Sequence, residues 1–298
     1  MDSNRKLELF DVIFYLSKKF DLNFILNEMI FESFESGQDC IDFMLEEDYL
    51  IKSSNDSITK EEIASKYTIK DLKVILKENG LKVSGKKDEL VERVLPVLSG
   101  ESDDGEYVLS SKANEFLSDY SWIDLYNFSL VAFDFEDFEN YFKKSGKDIY
   151  VAALTFCDEC IKSAFRDSNL LILLDSLSAK AHVYAYAGDY ESFLDLDLQR
   201  FIFGLNPPFM NGDIYQNYVA VNSANIINIG NVLYKFDFGS LKKRFNKLWA
   251  LLDIKNITIP KKTSFKILEK GLAGENIDNL NHDVRVKYFD RKFGVDEE

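Results

Sequence analysis

Apolar residues recur at intervals of three and four positions along most of this 298-residue chain, and only four prolines interrupt the pattern. Proline lacks a backbone donor and clashes inside a helix, so its scarcity allows helices to run long. The spacing places the apolar side chains on one face of each helix, where they can pack together. The sequence therefore predicts a mainly α-helical fold.

Two short segments depart from the helical spacing. The sequence YLIKSS, which begins at Tyr49, is predicted to be extended after a third N-terminal helix. A second strand is predicted at the Tyr-Val-Leu of residues 107–109, with Ser110 or Ser111 as the N-cap of the helix that follows. Three helices with small strands are compatible with a winged-helix-like unit, which is one interpretation of the N-terminal region.

The C-terminal part of the chain is predicted to be an α-helical domain of one of two kinds. A helix through Ala181 and Ala185 ends at Gly188, and another begins at Tyr190. Small residues, a glycine turn and an aromatic residue in this order resemble a tetratricopeptide (TPR) helical pair. Because a solenoid needs several such repeats and one is convincing here, an irregular α-helical domain is the alternative.

The formal net charge of −15 is distributed unevenly along the chain. Residues 1–66 carry 7 basic and 15 acidic side chains, and residues 99–160 carry 4 and 14. Between them, residues 67–98 carry 7 basic and 5 acidic side chains, and we call this segment the basic module. A polar, acidic linker is predicted at Ser99–Glu106. These features divide the chain into an N-terminal helical region (1–66), the basic module (67–98), an acidic connecting region (99–145) and a C-terminal α-helical domain (146–298).

The basic module is predicted to form two amphipathic helices joined by an extended turn. Thr68 is a suitable N-cap for a helix that turns Leu72 and Leu76 inward. A second helix follows Gly85 and turns Leu90 inward. Because a unit below about 40 residues rarely buries enough apolar area alone, we expect the basic module to pack against neighbouring parts of the chain.

The glycine turn between these two helices is the best candidate for contact with a ligand. Gly85 lets backbone amides approach a phosphate, and the N-terminus of the second helix favours an anion. Neighbouring side chains add a hydroxyl and positive charge, and four further residues extend the basic surface, although a solvated helix face explains those four equally well. The predicted contact residues are Ser84, Gly85, Lys86 and Lys87, extended by Lys73, Lys77, Lys82 and Arg93.

The basic module resembles the SAP motif, which is named for scaffold attachment factors, acinus and PIAS proteins. The resemblance rests on Thr68-x-x-Asp71-Leu72-Lys73, Leu76, Gly80-Leu81, Ser84-Gly85-Lys86-Lys87, Glu89-Leu90 and Arg93. It implies a helix-extension-helix fold that binds duplex DNA, often AT-rich, chiefly through backbone contacts. The layout around the module also resembles SAP-containing proteins of Gram-positive bacteria and their phages.

A second basic surface is predicted in the sequence SLKKRFNKLWALLDI, which begins at Ser240. Leu241, Phe245 and Leu248 form an inner stripe, which leaves four basic residues on the outside: Lys242, Lys243, Arg244 and Lys247. One interpretation is that these residues pair internally with the acidic segments of the chain. The other is that they form a nucleic-acid or partner surface.

Catalytic and metal-binding signals are weak. Cys157 and Cys160 have the C-x-x-C spacing of redox and zinc sites, but a second pair is missing and their apolar neighbours favour two ordinary semi-buried cysteines. His182 and His282 belong to no nucleophile elbow, and the sequence has no P-loop. The alternating acids and aromatics of Phe133–Phe142 favour a helix with a solvated acidic face over a Mg²⁺ site. We expect no enzymatic activity, metal or cofactor.

The apolar content of the chain does not predict a membrane protein. The most apolar window, Asn169–Ala187, is interrupted by Asp175, Lys180 and His182, which a membrane span rarely tolerates. The N-terminus lacks the apolar run of a signal peptide, and three cysteines are too few for a disulfide framework. We therefore expect a cytoplasmic protein.

Two functions follow from these features as hypotheses. In the first, the chain is a non-enzymatic protein that binds duplex DNA weakly through the basic module and binds a protein partner through its other helices. In the second, it is an acidic interaction scaffold or DNA mimic, and the helices of the module serve only as packing.

Overall fold

In a computed structural model of the chain, the described residues are 1–52, 60–79, 81–98, 107–209, 220–252, 254 and 257–290. They form sixteen α-helices and one two-stranded sheet, which confirms the predicted mainly α-helical class. The chain divides into two compact units, Met1–Tyr120 and Ser121–Glu298. The basic module lies in the first unit, and the predicted linker Ser99–Glu106 lies outside the described residues.

The first unit contains both strands. Its elements in chain order are α1 (Ser3–Ser17), α2 (Leu22–Glu28), α3 (Gly37–Glu46), β1 (Leu50–Lys52), α4 (Lys60–Lys66), α5 (Ile69–Glu78), α6 (Lys87–Leu98), β2 (Tyr107–Leu109) and α7 (Ser111–Asp119). Both predicted extended segments are therefore strands. Ser110 is the N-cap of α7, since its hydroxyl accepts a hydrogen bond from the Ala113 amide at 3.1 Å.

The two strands pair with each other although the basic module separates them in the sequence. They are antiparallel, with Leu50 opposite Leu109 and Lys52 opposite Tyr107. Helix α1 packs against both β2 and α7, so residues 107–120, which the sequence assigns to the connecting region, complete the N-terminal structure. The chain leaves this sheet at Lys52 and returns to it at Tyr107. The basic module is therefore an insertion within a β-hairpin.

The basic module has its own apolar core. The fully buried members of this core are Ile63, Leu72, Leu76, Leu90, Val91 and Val94. Ile63 belongs to α4, which precedes the predicted start of the module and packs against α6. We expect two helices of this size to need support, and α4 is the neighbour that provides it.

The second unit consists of helices. Its α-helices are α8 (Trp122–Ser129), α9 (Phe135–Ser145), α10 (Ile149–Asp167), α11 (Leu170–Tyr186), α12 (Tyr190–Leu205), α13 (Ser223–Val232), α14 (Phe238–Leu251), α15 (Lys261–Leu272) and α16 (Ile277–Val284). The turn between α11 and α12 has Gly188 at a φ of +80°, followed by Asp189 as the N-cap of α12. The predicted helical pair is therefore present. Within the described part of the chain, no helix is long and apolar enough to cross a membrane.

Candidate nucleic-acid interface

Helix α5 begins at the N-cap that the sequence predicts. The hydroxyl of Thr68 accepts a hydrogen bond from the Asp71 amide, and the Asp71 carboxylate accepts one from the Thr68 amide at 2.9 Å. The hydrogen bonds from Thr68 lower the pKa of Asp71. The helix ends at Asn79, whose amide donates to the Ile75 carbonyl. Gly80, which belongs to the predicted motif, lies outside the described residues.

The extended segment between α5 and α6, residues 81–86, is held in place by Arg93. The guanidinium Nη1 donates to the Lys82 carbonyl at 2.5 Å and to the Ser84 carbonyl at 2.8 Å. Its Nη2 lies 3.5 Å from the Glu89 carboxylate, one turn earlier on α6. The sequence predicts Arg93 as a DNA contact, whereas its described contacts are internal. It therefore positions the extended segment.

Gly85 is required by the same arrangement. It has a φ of +143°, which residues with a Cβ rarely adopt. A Cβ at this position would lie 2.5 Å from Glu89 Oε2 and 2.7 Å from Arg93 Nη2. The sequence predicts that this glycine admits a phosphate, and its backbone is indeed exposed. Its more immediate role is to leave room for the Glu89–Arg93 pair.

The two lysines that follow Gly85 differ in their surroundings. Lys87 is half-buried, and its Nζ donates to the Ala64 carbonyl at 2.7 Å, which ties the start of α6 to the last turn of α4. This bond satisfies a carbonyl group that the end of a helix leaves free. Lys86 is exposed, and its side chain has no hydrogen bond or ion pair with any described residue. Of the two, Lys86 is the one whose ammonium group is open to a ligand.

The outer face of α5 carries one basic residue, Lys70, that is not among the predicted contact residues. Lys70, Lys73 and Lys77 follow one another at intervals of three and four, so they lie on one side of the helix. Together with two exposed lysines of the extended segment they form a set that we call the module lysines: Lys70, Lys73, Lys77, Lys82 and Lys86. None of them has a hydrogen bond or ion pair through its side chain within the described part of the chain. Lys70 is not among the predicted contacts, although its spacing of three residues from Lys73 places both on one side of a helix.

Helix α6 is less suited to bind an anion than the sequence predicts. Its exposed face carries Asp88, Glu89 and Glu92, and Glu92 forms an ion pair with Lys60 of α4 at 2.8 Å. The first two carboxylates lie in the first turn, where they compete with a phosphate for the helix N-terminus. The basic module is therefore basic along α5 and the extended segment and acidic along α6. A phosphate backbone is favoured on the first side.

The predicted second basic surface lies on α14 and is only partly free. Lys242, Lys243 and Lys247 are exposed. Arg244 is half-buried, and its guanidinium forms ion pairs at 2.9 Å with Glu191 and with Asp195 of α12. The internal pairing that the sequence analysis leaves open therefore applies to Arg244. Both partners lie on α12, outside the two acidic segments, which are residues 1–66 and 99–160.

The candidate catalytic and metal-binding residues are set among apolar neighbours. Cys157 is buried and Cys160 is half-buried, and burial raises the pKa of both thiols, which keeps them protonated at neutral pH. His182 lies 2.8 Å from the Ser178 carbonyl, and burial lowers the pKa of its ring. Phe135 and Phe138 of α9 are buried, as the predicted aromatic stripe requires. No group of three His, Cys, Asp or Glu residues among those described is placed to hold a metal ion.

Comparison with known families identifies the module. The family model described as the SAP domain matches residues 64–97, from the last turn of α4 to the last turn of α6. The match confirms the resemblance seen in the sequence and includes Ala64, whose carbonyl receives the Lys87 side chain. A SAP domain is a DNA-binding module. Searches of curated proteins and of solved structures found no match to the chain.

Proposed function

We propose that this chain is a non-enzymatic DNA-binding protein whose SAP domain makes weak, mainly backbone contacts with duplex DNA. The observation that carries the proposal is the SAP match at residues 64–97 on a module with exposed lysines along α5 and in the extended segment. Lysine is a flexible point charge, which suits contact with phosphate oxygens more than the reading of base edges. The remaining helices are proposed to bind a protein partner, and AT-rich duplex is the proposed DNA class.

The expected affinity is low and depends strongly on salt. If about three of the module lysines neutralise phosphates, the slope of log K against log salt concentration is about −2.7. Raising the salt from about 50 to about 200 mM then reduces the affinity roughly fortyfold. Residues outside the basic module carry 29 basic and 46 acidic side chains, a net charge of −17, which opposes binding at low salt.

The proposal is tested by fluorescence anisotropy of the full chain with labelled AT-rich and GC-rich duplexes. The variant Lys73→Gln/Lys86→Gln removes two exposed module lysines that have no described hydrogen bond or ion pair. If both contact phosphates, affinity at about 100 mM salt falls by up to about sixtyfold. The matched control Lys18→Gln/Lys19→Gln removes two exposed lysines of the same unit and should bind as the wild type does. Equal affinity of the wild type and the module variant would contradict the proposal.

The high acidity of the chain supports a second candidate function. The acidic residues of the N-terminal and connecting regions, together with the acidic face of α6, would let the protein occupy a basic nucleic-acid-binding partner as a scaffold or DNA mimic. This function predicts that immobilised full-length protein retains a basic protein and no DNA. It also predicts that the Lys73→Gln/Lys86→Gln variant retains that partner as well as the wild type does.

A further inference from the structure

Helices α14 and α15 form the part of the second unit in which positive charge is least balanced along the sequence. Helices α14 and α15 together contain eight basic side chains and one acidic side chain, Glu269, in a chain with 51 acidic residues. In so acidic a sequence, two such stretches do not reflect the average composition. Their excess of positive charge therefore needs a physical explanation.

The fold brings these two stretches together. Phe245 of α14 and Phe265 of α15 are buried with their ring centroids 5.1 Å apart, so the two helices pack directly against each other. The ammonium group of Lys242 lies 5.7 Å from the centroid of the Phe265 ring, at the seam between the helices. The two basic helices are therefore adjacent, with Lys242 at the seam between them.

Most of the basic side chains on α14 and α15 form no ion pair with a described residue. Arg244 is neutralised by Glu191 and Asp195. Asp237, at the start of α14, accepts a hydrogen bond from the Ser240 amide as the helix N-cap. Lys270 of α15 pairs with Glu275 at 2.7 Å. Six exposed lysines remain, and none of their side chains has a hydrogen bond or ion pair with another described residue. We call them the α14–α15 lysine face: Lys242, Lys243, Lys247, Lys261, Lys262 and Lys266.

We infer that the α14–α15 lysine face is a second contact surface for the phosphate backbone of duplex DNA. The inference rests on the proposed function, because it assigns a second contact with the same ligand, but it depends on different residues in the other unit. The chemistry favours a polyanion, since six like charges repel one another unless a ligand neutralises them. Protein interfaces are depleted in lysine at their cores and enriched in aromatic residues and arginine, so a protein partner fits this face less well.

The test measures the salt dependence of DNA binding by the full chain. The variant Lys242→Gln/Lys243→Gln/Lys247→Gln removes the α14 half of the face. If all three lysines contact phosphates, the slope of log K against log salt becomes less negative by about 2.7. The matched control Lys144→Gln/Lys147→Gln/Lys162→Gln removes three exposed lysines elsewhere in the same unit that form no ion pair with a described residue. The control has the same net charge but should keep the wild-type slope.

Two results would overturn the inference. The first is a slope for the α14 variant equal to that of the wild type. The second is an equal change of slope in the α14 variant and the control, which would indicate an effect of net charge alone. If the α14 variant does not fold, the salt slope is measured for a second variant, Lys261→Gln/Lys262→Gln/Lys266→Gln on α15. It should change the slope in the same direction. Circular dichroism of each variant checks the fold.

Failure of this inference and failure of the proposed SAP contact give different results. If Lys73→Gln/Lys86→Gln binds as the wild type does while the α14 variant loses salt dependence, the SAP contact is wrong and the second surface stands. If the module variant loses affinity while the α14 variant keeps the wild-type slope, the second surface is wrong and the SAP contact stands.

Discussion

Replacing Asp197 with asparagine should stabilise the second unit at alkaline pH. Asp197 lies on α12 with its side chain fully buried, and its Oδ1 accepts a hydrogen bond from the Asn225 side-chain amide at 3.0 Å. The nearest described positive charge is the guanidinium of Arg200, 3.9 Å away. Burial raises the pKa of Asp197 to about 7, although Arg200 and Asn225 act in the opposite direction.

The sign of the effect follows from the direction of this shift. The folded state binds the proton of Asp197 more tightly than the unfolded state does, whose carboxyl has a pKa near 3.8. The stability that the protonated carboxyl contributes is therefore fully present below about pH 4 and is lost as the pH rises through about 7. A difference of about 3 pKa units corresponds to at most about 4 kcal/mol. Asparagine keeps the acceptor oxygen for Asn225 and carries no charge, so Asp197→Asn avoids this loss.

Urea unfolding followed by tryptophan fluorescence measures the effect in the correct part of the molecule. Trp122 and Trp249 are the only tryptophans, and both lie in the unit that contains Asp197. We expect the variant to exceed the wild type in free energy of unfolding by up to about 4 kcal/mol at about pH 8.5, with no difference near pH 4.

The control for this experiment is Asp189→Asn, at the exposed N-cap of the same helix. Hydrogen bonds from Ser192 lower the pKa of Asp189, so its contribution to stability is present at neutral pH and is lost only as the pH falls towards its folded pKa. Asparagine is an equally good N-cap, and the control should gain no stability at alkaline pH. A difference between wild type and Asp197→Asn that stays the same from pH 4 to 8.5 would refute the reasoning.

Two further predictions concern the SAP domain. Gly85→Ala places a Cβ against the Glu89–Arg93 pair at an unfavourable φ, so it should cost about 1–3 kcal/mol of local stability. The loss is measured as faster hydrogen exchange of the α6 amides, and exchange in α14 should stay unchanged. Replacing residues 53–106 with Asn-Gly should leave the rest of the first unit folded, because this two-residue turn can join Lys52 to the residue opposite it in the sheet. Loss of the helical circular dichroism expected for the remaining helices would show that the insertion is needed for folding.

Features of this fold that depend on neighbouring residues can be predicted from the sequence. The caps at Thr68 and Ser110 involve partners three residues away, and the helical pair joined at Gly188 is equally local. The pairing of β1 with β2 joins residues separated by the whole SAP domain, and no local pattern encodes such a contact. Each strand was therefore predictable, whereas the insertion of the domain between them was not.

The candidate site shows the same limit for individual charges. From the sequence, Lys86 and Lys87 are equivalent basic residues beside one glycine, and Arg93 is a further candidate contact. In the structure Lys87 donates to a carbonyl of α4, and Arg93 donates to the extended segment, so only Lys86 remains open. The carbonyl of Ala64 lies 23 positions from Lys87, and nothing in the local pattern selects it. Arg244, which pairs with two carboxylates of α12, is a second example.

If the SAP domain binds DNA as proposed, the distribution of charge within it accounts for the approach of so acidic a chain to a duplex. At about 0.15 M ionic strength, charges separated by more than about 8 Å are largely screened from one another. A phosphate that contacts a module lysine therefore responds mainly to the charges of the basic module, 7 basic and 5 acidic side chains, and only weakly to distant carboxylates. At low salt the distant carboxylates are screened less, and the net charge of −17 outside the basic module repels the duplex. The measured salt slope of the wild type should therefore flatten below about 50 mM, where loss of repulsion on adding salt offsets the weakening of the phosphate contacts.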